Sequence, residues 1–134
     1  MLFMLIVRGS RTSEAGRPPA PGLREAMDKY NDNLVEAGVR VMAKGLYPGS
    51  TAVRISYPEP GNPPIVKHGP FEEPREMIAG FILIDVNSRE EALEWALRMP
   101  DPIGYGEGEI ELRQVIEDPE TYYREVQSQF DSGK

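Results

Sequence analysis

The sequence predicts an α+β fold in which one antiparallel sheet carries its helices on one face. Three observations carry this. Short apolar or alternating runs recur at 2–7, 39–45, 51–57, 78–86 and 109–116, set off by Gly, Pro, Ser or Asn. Stretches of helical periodicity fall among them at 23–38 and 87–100, and a third follows at 118–130. The resulting order, β-α-β-β-β-α-β-α, contains the ferredoxin-like βαββαβ pattern with an added hairpin and a C-terminal helix.

Each element has its own local cause. "LFMLIV" (2–7) is short and apolar throughout, which favours a buried strand over a helix. "SRTSEAGRPPAPG" (10–22) is rich in Pro, Gly and Ser and reads as a long loop, either a lid or a connector. In 23–38, Leu23, Met27, Tyr30 and Leu34 recur at helical spacing, and Gly38 is a left-handed stop. "VRVMAKG" (39–45) and "TAVRISY" (51–57) alternate as half-buried strands do. "PEPGNPP" (58–64) is a turn that leads to a short strand at 65–67, a hairpin tip.

The apolar run "IAGFILIDV" (78–86) is a further strand. In 87–100, Ser88 and Glu91 form a capping box; Ala92, Trp95, Ala96 and Met99 make the buried stripe, and Pro100 ends the helix. "EIELRQVI" (109–116) alternates again. Asp118 and Pro119 then open a helix with Tyr122, Tyr123, Val126 and Phe130 on its apolar stripe.

A length of 134 residues fits one domain over 1–134, with its core in 2–116 and the terminal helix over 118–130. The net charge of −7 and a pI near 4.8 argue against a nucleic-acid surface, which needs a basic face. The absence of cysteine excludes disulfides, thiolate nucleophiles and Cys-based metal sites. The opening "MLFMLIV" lacks the basic flank of a signal peptide, and no run reaches the ~18–20 apolar residues of a membrane span. The expectation is a cytoplasmic protein with no membrane partner.

Two helices cover only one face of such a sheet, yet 2–7 and 78–84 are apolar on both faces. A second copy of the sheet, in a two-fold homodimer with isologous contacts, is the expected cover. The terminal helix, folding back, is the competitor; it is expected at or near the dimer interface.

Several spaced segments carry a family resemblance: His68-Gly69-Pro70-Phe71, then Glu73, Arg75 and Glu76, then "AGFILIDV" with Gly80. "SREEALEWALRMP", "AGVRVMAKGL" (37–46) and "IELRQV" (110–115) occur in the matching order. Over residues 2–116 the chain resembles the YCII-related proteins, specifically the branch named for a DGPF motif. That resemblance implies a ferredoxin-like fold in a dimeric α/β barrel-type assembly, and it implies little about activity. Enzymatic relatives use a His–Asp pair with the His on the first helix. No His lies between residues 23 and 38 here, so the pair does not carry over, and His68 stands where the branch has Asp.

Candidate chemistry centres on 68–76. His68, the only histidine, is either a surface hydrogen-bonding residue or a general acid–base, since an unperturbed imidazole titrates near ~6.5. Glu73 and Glu76 are its candidate orienters and pocket carboxylates, with Arg75 neutralising one of them; the bland reading is a solvated charge cluster. A metal site is disfavoured because the spacing matches no ligand pattern and Pro70 and Pro74 break the segment. Gly69 and Pro70 read as a strand-ending turn and Phe71 as a core plug.

Tyr30 sits on the buried stripe, its hydroxyl needing a partner or facing a cleft. Lys44 and Arg113 alternate with core residues and are candidate anion anchors. Ser10 and Ser13 have no base at triad spacing, and "GYGEG" (104–108) lacks the strand–loop–helix setting of a phosphate loop. The sequence therefore points to a homodimer that binds a small-molecule ligand, without cofactor. If it is an enzyme, a lyase or isomerase type with His68 as acid–base is expected. Its pocket is expected between the sheet, the first helix and the 67–76 loop. The alternative is a non-catalytic interaction or regulatory module that docks a partner through its last helix.

Overall fold

The computed structural model describes residues 1–132, with side chains as far as Gln129; Phe130, assigned above to the last helix's apolar stripe, lies outside the described side chains. Four strands form one sheet: β1 (Leu2–Arg8), β2 (Arg40–Gly45), β5 (Ile78–Asp85) and β6 (Ile110–Gln114), in the order β2-β5-β1-β6 with every pair antiparallel. Helices α2 (Leu23–Glu36) and α3 (Arg89–Arg98) complete a mixed α+β architecture compatible with a ferredoxin-like fold. α4 (Pro119–Ser132) follows the last strand.

The register decides which residues meet the helices. Leu5 lies opposite Ile82 on one side and Leu112 on the other, so these three share a face. Phe3, Leu5, Ile82 and Ile84 on that face pack with Tyr30 and Leu34 of α2 and Ala92, Trp95 and Ala96 of α3. Burying a side chain of this size contributes roughly 1.5–3 kcal/mol, so this cluster is the main source of cohesion. α3 starts where expected: the Ser88 hydroxyl accepts the Glu91 N–H at 3.1 Å, and the Glu91 carboxylate accepts the Asn87 N–H at 3.0 Å. α2 ends on Gly38 at φ +73°, the left-handed residue anticipated there.

The other face carries Met4, Ile6, Phe81 and Leu83, paired across β1 and β5, with Met42 beside Leu83 on β2. Neither α2 nor α3 packs there. α4 is exposed from Pro119 to Gln129 except at half-buried Val126.

Two expectations need correction. Residues 51–57 alternate as a half-buried strand would, but β3 (Val53–Ser56) pairs only with β4 (Ile65–His68), and all eight of these residues are exposed. The alternation is real; among the described residues its apolar side has nothing to pack against. Residues 10–22 contain a one-turn helix, α1 (Arg11–Glu14), within what reads as loop. Its cause is local: Ser13 N–H donates to Ser10 Oγ at 3.2 Å, and Ser10 N–H donates to Ser13 Oγ at 2.8 Å.

Candidate functional site

A cleft of about 490 Å³ opens between the helix-bearing face of the sheet, α2, and residues 13–19. Its size falls within the range of small-ligand sites. The reason for a void here lies in two strands. Gly45 of β2 stands directly opposite Gly80 of β5, one step from Ala43, so this end of the sheet lacks the side chains that fill the core elsewhere. The two glycines are not equivalent. A Cβ at Gly80 would come within 2.9 Å of the Lys44 carbonyl, whereas one at Gly45 would meet only the Ala79 carbonyl at 4.0 Å. Gly80 allows the strands to approach; Gly45 leaves space.

Met27 and Asn31 of α2, one turn apart, form one wall, and Val7, Ile82 and Ile103 add apolar surface. The Asn31 amide donates to the Met27 carbonyl at 3.0 Å, and its Oδ1 is buried with no hydrogen-bond partner. An unsatisfied buried acceptor costs about 1–3 kcal/mol, so Asn31 is poised to gain a donor.

The roof is the 11–20 segment, tied to the body at several points. The Glu107 carboxylate accepts from the Thr12 N–H at 3.2 Å and the Thr12 hydroxyl at 2.8 Å. These two bonds hold the Glu107 carboxyl below its usual range. Glu14 Oε1 accepts the Gly49 N–H at 2.9 Å, and Ala20 N–H donates to the Ile103 carbonyl at 3.0 Å. The "GYGEG" stretch is thus a loop that anchors the roof. Gly104, at φ +87°, leaves no room for a Cβ against Ala20 and Leu23.

The residues proposed from sequence are dispersed. Lys44 borders the cleft only through the backbone of the exposed edge strand; its pairing with Phe81 sends its side chain to the other face, so it is not an anion anchor there. Tyr30 is buried, and its hydroxyl donates to the Trp95 carbonyl at 2.6 Å, away from the cleft; burial pushes its pKa up to about 12. Arg75 pairs with Glu109 at 3.5 Å, and Arg113 with Glu111 at 3.2 Å, both exposed. Glu73 caps the start of the short 3₁₀ turn Pro74–Glu76 and Glu76 ends it, and both are exposed.

His68 ends β4 opposite Val53, exposed, and shares a hairpin face with Ile55 and Val66. The reverse face carries Arg54 and Lys67, whose charged ends lie 4.0 and 5.9 Å from the centre of the Phe71 ring. Phe71, expected as a core plug, is instead a half-buried platform for two cations. None of the residues 67–76 lines the cleft, so the expected pocket position shifts to the 13–19 side. Among the described residues no group of three or more His, Asp or Glu could hold a metal, and no helix is long and apolar enough to cross a membrane.

Sequence reasoning did not single out Asn31 or Gly45. Both carried a signal: an amide four residues after Met27 beside the buried stripe, and a glycine ending an alternating strand.

The model of the YCII-related domain matches residues 1–118, and the chain belongs to that family. The match stops at the start of α4. A comparison with curated proteins returns no match.

Proposed function

We propose that the protein is a small-molecule-binding homodimer, an HGPF variant of the DGPF branch of its family, which holds its ligand in the cleft beneath residues 11–20. The carrying observation is a void of ligand size floored by Gly45 and Gly80 and walled by Asn31, whose buried acceptor lacks a donor.

The homodimer is supported by the second sheet face. Met4, Phe81 and Leu83 stay half-buried on the face that the two helices leave, around a buried Ile6. Sheet-to-sheet contact with a second copy, in a barrel-type assembly, buries that face. The His68 face of the β3–β4 hairpin is a second apolar surface suited to the same partner.

Binding is favoured over proton transfer within one chain. The cleft's one ionisable side chain is Arg17, with Lys44 present only by its backbone and no His, Asp or Glu among the described residues. Lyase or isomerase chemistry through His68 requires the imidazole to be delivered by the hairpin of the second copy.

Substitution of Gly45 by leucine tests the binding site, since the new side chain enters the cleft without a backbone clash. The folded variant is expected to lose binding of small fragments followed by protein-observed NMR. Unchanged fragment shifts at Asn31 and Gly80 would overturn the assignment.

A further inference from the structure

The chain as a whole is acidic, with 22 Asp and Glu against 15 Lys and Arg. The cleft reverses this balance. Its one charged side chain is Arg17, because Lys44, paired with Phe81, lines it only through the backbone, and among the described residues no carboxylate lines it. In a chain with more acids than bases, a concave surface whose one charge is a guanidinium repels no anion. Arg17 is exposed, and among the described residues it has no ion-pair partner, so its guanidinium is available to a ligand.

The nearest acid in the roof is already committed. Glu14 accepts the Gly49 N–H at 2.9 Å and is not among the lining residues. The other roof carboxylate, Glu107, is bound to Thr12 outside the cleft. Most of the remaining surface is apolar, supplied by Val7, Met27, Ile82 and Ile103, and among the described residues Asn31 Oδ1 is the buried acceptor in need of a donor.

From the cationic rim, the apolar wall and the unfilled acceptor together, we infer that the cleft selects a small organic anion with an apolar body and a hydrogen-bond donor, such as a hydroxy or amino carboxylate. The anionic group meets Arg17 at the mouth, the apolar body lies over Gly45, and the donor reaches Asn31 after a side-chain rotation. A cation is excluded because no carboxylate is there to receive it. This rests on the cleft being a ligand site, and the test separates the two claims.

The test uses the full chain and a fragment set divided evenly among anions, neutral isosteres and cations. Binding is followed by protein-observed NMR, and a cleft hit is one lost in Gly45→Leu. Cleft hits are expected to be mainly carboxylates. Arg17→Gln should weaken them about fivefold while leaving neutral hits unchanged, as expected for one exposed charge pair. Asn31→Leu should abolish the preference for 4-hydroxybenzoate over benzoate.

Cleft hits that are mainly neutral or cationic would overturn the charge inference and leave the binding site standing. Carboxylate hits insensitive to Arg17→Gln would overturn the role of the guanidinium and, with it, the selection argued here. The absence of any Gly45-dependent hit would overturn both claims together.

Discussion

The segments 10–22 and 53–70 look alike in sequence, each broken by glycines and prolines, but the molecule uses them differently. The first is tied down by Glu107, Gly49 and Ile103 and roofs a cleft. The second forms a hairpin exposed at every paired position, joined to the body at its root. There Gly69 N–H donates to the Ala52 carbonyl at 2.9 Å and lies tightly against Gly49. The difference lies in where the polar side chains fall. Thr12 and Glu14 can reach partners across the fold, whereas the hairpin's cations, Arg54 and Lys67, turn to the adjacent Phe71. A segment becomes a wall when distant groups complete its hydrogen bonds, and an arm when it completes them within itself.

The largest expected effect is at the root of the hairpin. A Cβ at Gly69 would lie 1.7 Å from the Gly49 carbonyl oxygen, an overlap that only backbone movement relieves. Gly69→Ala should destabilise the protein by at least about 3 kcal/mol in urea unfolding. A loss below ~1 kcal/mol would mean that the arm is not rigidly joined to the body.

The next effect concerns the common core and serves as a control for both regions. The folded pKa of Tyr30 is raised from 10.0 to about 12. A group that titrates later in the folded state contributes stability that is fully present below pH 10 and is lost as pH rises towards about 12. The loss should amount to roughly 2–3 kcal/mol and be absent in Tyr30→Phe, as followed by alkaline denaturation.

A smaller effect sets the roof apart from the arm. Glu107 has its pKa lowered below 4.5, so its hold on Thr12 is complete above that value and fails as pH falls through the depressed pKa. Hydrogen exchange measured as pH is lowered should show protection at 11–16 falling below pH 4.5, with no matching step in the hairpin amides. Glu107→Gln should flatten that step. An identical step in both regions would show that the roof is not separately pinned.

The smallest effect on chain stability, within about 0.5 kcal/mol, is expected from Val66→Asp on the exposed hairpin face. Light scattering should nevertheless show a weakened homodimer. An unchanged dimer would remove the arm from the proposed interface while leaving the sheet-to-sheet contact to be tested by Leu83→Asp.

How much of this was legible in the sequence depended on whether the deciding interaction was local. The helices at Leu23 and Ser88, the stop at Gly38 and the turn at 58–64 follow from periodicity and from caps a few residues away. The burial of Tyr30 was likewise readable from the α2 stripe, but the partner of its hydroxyl, Trp95, lies 65 residues on. Phe71 was misplaced because its aromatic ring suggested core, and only the pairing of Arg54 with Lys67 shows two cations converging on it. The candidate site was the least legible part. His68 and its acids drew notice by residue type, whereas the cleft arises from an absence, two glycines that meet across strands.

By itself, the sequence determined the α+β class, the order of elements, the two-sided apolar character of β1 and β5, and the family resemblance over residues 2–116. These depend on contacts within a few residues or on strict periodicity. Tertiary structure decided that Gly45 faces Gly80, that Glu107 holds Thr12, that Asn31 is left with an unpaired acceptor, and that the histidine stands on an arm apart from the cleft. Each is a matter of strand register or long-range hydrogen bonding, and a one-residue change of register between β2 and β5 would have put Lys44 or Leu46 opposite Gly80 in place of Gly45.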